Sequence, residues 1–101
     1  VINLLEITNP TEKLKEICSE LGSEYSIKVV NAEQVIYRKI NDNYYLEVSG
    51  LNNNHQTMNA TIYIWHLKSN LHFVESKPNI TNLESLTLFL DILVGKYQNL
   101  N

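Results

Sequence analysis

Two hydrophobic periods alternate along the chain. Near the start, Leu14, Ile17, Cys18 and Leu21 recur at i, i+3, i+4 and i+7, which lines one face of an α-helix. Asn9 as cap, Pro10 at the first helical position and Glu12 three residues after the cap mark its beginning; Gly22 marks its end. Near the other end, Thr81-x-x-Glu84 reads as a capping box. Leu83, Leu86, Leu90, Leu93 and Tyr97 then follow at spacings of three and four. Leu88, Phe89 and Ile92 add a second apolar arc, wider than one sheet contact needs, that is available to the first helix or to a partner.

Between these helices the period falls to two. "YSIKVVNAEQVIYRKI" (25–40) is rich in β-branched residues and breaks at Asn31-Ala32. Asn41-Asp42-Asn43 is a turn, and "YYLEVSG" (44–50) returns. A polar loop, "GLNNNHQTMN" (50–59), leads into "ATIYIWHLK" (60–68), a turn at Ser69-Asn70 and "LHFVES" (71–76). The expected fold is α+β: helix, four- or five-stranded antiparallel meander, helix. Val1, Ile2, Leu4, Leu5 and Ile7 stand ahead of the first helix. They read as an edge strand or, preferably, as the end of an upstream helix or coiled coil (1–8), with one globular domain over 9–101.

Strand side chains alternate between two faces. A three-residue loop at 41–43 places Ile36, Ile40, Tyr44, Leu46 and Val48 on one face, and Val35, Tyr37, Lys39, Tyr45, Glu47 and Ser49 on the other. In 60–67, Ala60, Ile62, Ile64 and His66 alternate with Thr61, Tyr63, Trp65 and Leu67, so this strand is apolar on both faces and belongs inside the sheet. Two helices cover one face of a small sheet, and the aliphatic face suits their leucine stripes. The reverse face then carries Tyr37, Tyr45, Tyr63 and Trp65. Tyr and Trp join an apolar body to a polar tip, which suits either a contact surface or a shield for the sheet.

Composition narrows the function classes. The chain has 101 residues, 44% hydrophobic and 19% charged, which fits one globular domain. Eight Lys and Arg, in no basic run, and a net charge of −3 argue against nucleic acid as partner. No apolar run nears the roughly 20 residues that span a bilayer, and Glu6 comes too early for a signal peptide, so an intracellular setting is expected. The lone cysteine, Cys18, fits a reducing compartment and reads as a small core residue.

Candidate chemistry is sparse. A three-residue turn at Lys68–Asn70 sets His66 opposite His72; a two-residue turn sets it opposite Phe73. Two histidines alone do not complete a metal site, and His55 reads as solvated. Arg38 falls on the helix side between Ile36 and Ile40, where it receives an acidic group or lets its head snorkel to an edge; another register sets it opposite Glu47. No nucleophile–base signature and no glycine-rich phosphate loop occur. A non-enzymatic chain with neither cofactor nor metal is expected.

The order of features resembles the RWD-like globular heads of the two small subunits of the outer-kinetochore complex that binds microtubules. The likeness rests on "LKEICSELG", "YSIKVVNAEQVIY", "YYLEVSGLNNNHQTMNATIYIW" and "LHFVESKPNITNLESLTLFL", and spans roughly residues 13–97. A monopolin-type head is a near neighbour. The resemblance implies a head at the end of a coiled coil, paired with a second head as a homo- or heterodimer. It further implies an adaptor peptide held by the pair, and a nuclear location in chromosome segregation. From the residues themselves the expectation is a protein–protein interaction domain with contact residues Tyr37, Tyr45, Tyr63, Trp65, Leu88 and Ile92. A small bacterial or phage immunity or inhibitor protein, free-standing in the cytoplasm, is the alternative. A small enzyme or ligand-binding domain using His66, His72 and Arg38 is the third reading.

Overall fold

In the computed structural model, residues 9–67 and 72–100 are described. The expected helix or coiled-coil end at 1–8 and the turn at Lys68–Asn70 lie outside the described residues. Helix α1 (Glu12–Leu21) leads into strands β1 (Ser26–Val30), β2 (Glu33–Lys39), β3 (Tyr44–Ser49), β4 (Ala60–His66) and β5 (His72–Ile80), and helix α2 (Leu83–Gln98) closes the domain. The strands form one sheet in the order β1-β2-β3-β4-β5, each antiparallel to the next. This is the expected α+β meander in its five-stranded form. β4 lies inside the sheet, as its two apolar faces require.

Both helix starts fall later than the sequence suggests. α1 is capped by Thr11, not Asn9, and the Thr11 hydroxyl accepts from Leu14 N at 3.1 Å. The Thr11 backbone N–H donates across the fold to Asn52 Oδ1 at 2.8 Å, a long-range tie invisible to local capping rules. Pro10 therefore precedes the cap. α2 is capped by Asn82, whose Oδ1 accepts from Ser85 N at 2.7 Å, rather than by Thr81 in a box with Glu84. Asn is at least as good a cap as Thr, so the chain loses nothing by starting one residue later.

The turns fix the registers. Asn31 and Ala32 both have positive φ (51° and 64°), the two-residue hairpin turn that matches strand twist. At 41–43 the loop has three residues, so Ile36 faces Val48, Tyr37 faces Glu47 and Arg38 faces Leu46. Asn41 also anchors α2. Its amide nitrogen reaches the carbonyl oxygens of Tyr97, Gln98 and Leu100 at 3.0, 3.2 and 3.0 Å, while its Oδ1 accepts from Asn43 N and Tyr44 N. One side chain thus shapes a hairpin and satisfies open carbonyls at a helix end. Asn41→Ala is expected to cost about 1–3 kcal/mol, the range for unpairing such groups, and to speed amide exchange at 43–44 as well as in the last turn of α2. Hydrogen exchange with a denaturant melt checks both.

Gly50 closes β3 with φ +85°, and a Cβ there would lie 2.5 Å from the Asn59 carbonyl oxygen. The two ends of the 50–59 loop can approach this closely only around a glycine.

The core sits between the helices and one sheet face. Leu14 and Ile17 from α1 and Leu86, Leu90, Leu93, Val94 and Tyr97 from α2 pack with Ile36, Leu46, Val48, Ala60, Ile62, Ile64 and Ile80. Cys18 and Leu21 pack against it from the stripe's edge. Leu88 and Ile92 lie off the buried stripe of α2 and are 57% and 54% exposed.

β5 carries one extra residue at two places. Ile64 faces Glu75, yet its neighbour Trp65 faces Phe73, so Val74 is the unpaired residue of a bulge. The bulge inverts the faces beyond it. Glu75 thereby reaches the helix side, where its carboxylate accepts from the Tyr97 hydroxyl and pairs with Lys96 Nζ at 2.7 Å. Those bonds hold the Glu75 carboxyl below its ordinary range. Phe73 reaches the opposite face, beside Trp65.

Candidate functional site

On the sheet face away from the helices, register alone assembles an aromatic row. Tyr37 pairs with Glu47, which pairs with Tyr63; Tyr45 pairs with Trp65, which pairs with Phe73. The rings touch in sequence. Tyr37 and Tyr45 have centroids 5.3 Å apart, Tyr45 and Trp65 stack at 6.4 Å, and Phe73 meets Trp65 edge-on at 5.8 Å and Tyr63 at 6.3 Å. Such offset and edge contacts suit the ring quadrupoles. Tyr45, in mid-row between Tyr37 and Trp65, is only 9% exposed. Tyr37, Tyr63 and Trp65 are half-buried, and Phe73 ends the row 54% exposed. The four sheet residues expected from sequence therefore lie together. Leu88 and Ile92 form a separate patch on α2.

Phe73 is the ring that sequence reasoning left unplaced, because its face depends on whether His66 pairs with His72 or with Phe73, two registers the sequence left open. Glu47 was readable as a residue of this face but looked like an ordinary polar strand position. It is 7% exposed, bracketed by Tyr37 and Tyr63 across the strands and by Tyr45 and Ser49 along its own. Burial pushes the Glu47 carboxyl above its ordinary range; the Tyr45 hydroxyl opposes this and the nearby Glu33 carboxylate adds to it. Burial likewise raises the Tyr45 phenol. Trp65 Nε1 is shut off from water with no acceptor among the described residues.

A buried carboxyl with a raised pKa keeps its proton to higher pH in the folded chain than in the unfolded one. Its ionisation therefore removes stability as pH climbs from the ordinary carboxyl range through the folded value. Glu47→Gln is accordingly expected to melt above the parent at pH 7, with the gap closing towards about pH 4, where both forms are neutral. Paired thermal melts across that range check the sign.

The remaining candidates occupy ordinary places. His66 faces His72 in register, and its ring lies edge-on to Tyr44 at 4.7 Å. No group of three or more His, Cys, Asp and Glu is arranged to hold a metal ion among the described residues. His55 is exposed in the polar loop, and its carbonyl accepts from Lys13 Nζ at 2.6 Å. Arg38 lies on the helix side opposite Leu46, not opposite Glu47; its guanidinium sits 5.1 Å from the centroid of the Tyr25 ring and donates to Tyr25 Oη at 3.4 Å. Cys18 borders a hollow of about 490 Å³ between α1 and β1. Burial raises its thiol pKa, which makes it a poor nucleophile. Among the described residues no helix is long and apolar enough to cross a membrane.

Comparison with protein-family models, curated proteins and solved structures finds no match to this chain.

Proposed function

We propose that this chain is a non-catalytic protein–protein interaction domain whose docking surface is the face of its sheet opposite helices α1 and α2. One observation carries the reading. That face presents a continuous row of rings, Tyr37–Tyr45–Trp65–Phe73 with Tyr63 alongside, ending in a phenylalanine more than half exposed. Aromatic residues dominate binding energy at protein interfaces because they bring large area at low entropic cost. A sheet stiffened by cross-strand pairs also holds such anchors in place before the partner arrives. Leu88 and Ile92 supply a second apolar contact on α2.

The order helix, five-stranded meander, helix is the element order on which the resemblance to kinetochore RWD-like heads rests. The proposal extends to that role: a head that pairs with a second head, holds an adaptor peptide and works in chromosome segregation in the nucleus. In that role Leu88 and Ile92 suit head pairing and the sheet face suits the peptide.

Comparative capture tests the docking surface. The wild-type domain, a Phe73→Asp variant and a Leu88→Asp/Ile92→Asp variant are immobilised and exposed to the same source extract. Proteins held by the wild type and lost on Phe73→Asp support the reading. Retention of the same set by Phe73→Asp contradicts it.

A further inference from the structure

We propose that the cleft beside the aromatic row receives the guanidinium of an arginine side chain from the docked protein, held between Glu33 and Glu47 against Tyr63 and Trp65. This rests on the reading of the sheet face as a protein-docking surface and names the chemistry of its partner.

The cleft measures about 190 Å³ and is lined by Val30, Glu33, Val35, Glu47, Tyr63 and Trp65, among others. Its two carboxylates come from adjacent strands. Glu33 Oε2 accepts from Gly50 N at 2.8 Å, which fixes that side chain. Glu47 is more than nine-tenths buried and interacts with the Tyr45 hydroxyl. Among the described residues neither carboxylate has a Lys, Arg or His within ion-pair distance. The cations of the same face are engaged elsewhere: Lys28 Nζ lies 3.7 Å from the centroid of the Tyr37 ring, and Lys39 pairs with Asp42 at 3.3 Å. A buried carboxylate without a cation is unfavourable, and here it sits in the middle of an exposed aromatic surface. Carboxylates beside ring faces make a receptor for a cation.

Guanidinium fits better than ammonium. Its planar fork offers five donors, enough for two carboxylates at once, and it stacks on aromatic rings and gives up water more readily. The ring row beside the cleft favours a polypeptide source over a free cation, because a docked chain covers the rings while its arginine enters between the carboxylates. The net charge of −3 adds attraction for a basic partner at long range.

Trp65 is the only tryptophan, so its emission reports on the cleft. The wild-type domain is titrated with a blocked Gly-Gly-Arg-Gly-Gly peptide and with its neutral citrulline and cationic lysine counterparts, following emission and the indole N–H resonance. A saturable response to the arginine peptide is expected, weaker by about tenfold or more with citrulline and by a similar factor when Glu47→Gln meets the arginine peptide. No saturable response, equal binding of citrulline, or an unchanged affinity in Glu47→Gln overturns the pocket. Equal binding of lysine overturns the choice of guanidinium. Glu47→Gln needs its melt recorded alongside; its expected extra stability at pH 7 separates lost recognition from lost fold. If captured proteins are lost on Phe73→Asp but the arginine peptide fails to bind, the surface docks protein and the arginine pocket is wrong. If capture ignores Phe73→Asp, the docking surface itself is wrong.

Discussion

A Phe73→Asp domain is expected to stay folded and to lose its partner. Phe73 is 54% exposed and its packing consists of edge contacts to Trp65 and Tyr63, so folding should lose only about 1 kcal/mol. Binding should lose far more. An anchor ring at an interface contributes about 2 kcal/mol or more, some thirtyfold in affinity, and the aspartate adds a charge that docking would bury. Trp65→Ala is a less discriminating probe. Trp65 stacks on Tyr45 and helps to screen it, so removing the indole unsettles the row as well as any partner contact. Thermal melts alongside binding isotherms separate the two effects, and Phe73→Asp should move the isotherm much more than the melt.

Leu90→Ala is expected to be among the most destabilising single changes in α2, while Leu88→Ala, two residues away, should be nearly silent. Leu90 is 1% exposed and packs into the cluster that joins both helices to Ile36, Leu46, Ile62 and Ile64. Truncating a leucine in such a site removes transfer free energy and leaves a cavity, together about 2–5 kcal/mol. For a domain of this size that lowers Tm by about 4–8 °C per kcal/mol. Leu88 is 57% exposed on the other side of the helix, where truncation stays within about 0.5 kcal/mol. Equal destabilisation at the two sites would mean that α2 does not present its 86–90–93–97 stripe to the sheet.

The layout was legible in the sequence because it rests on periodicity and turn chemistry. The Leu14–Ile17 and Leu86–Leu90–Leu93 stripes announced two helices with one buried side each. Asn41-Asp42-Asn43 was legible as a turn, but the sequence left two registers of β2 on β3 open, and the structure takes the three-residue loop that sets the faces of Tyr37, Tyr45 and Glu47. What stayed hidden depends on contacts far along the chain. The start of α1 is set at Thr11 by Asn52, 41 residues away. Phe73 faces Trp65 because His66 pairs with His72, one of two registers the sequence left open, whereas the bulge at Val74 turns Glu75 to the helix side and no local residue signal marks it. Glu47 stood in a strand of alternating polarity, so its burial became apparent only when Tyr37 and Tyr63 were placed on either side of it. The candidate surface was thus readable as a list of rings, but neither its exposed end nor its acidic cleft was.

Hydroxyl-radical footprinting of the free domain, and of the domain carrying a protein captured on it, measures the central claim most directly. In the free domain Phe73, Tyr37 and Tyr63 should be labelled, while Leu90 and Tyr97 on the buried side of α2 stay protected. In the complex, labelling of Phe73 and its neighbours should fall and that of Leu90 and Tyr97 should not change. Protection of Phe73 in the free domain, or labelling of the ring row that is the same with and without the partner, would contradict the account.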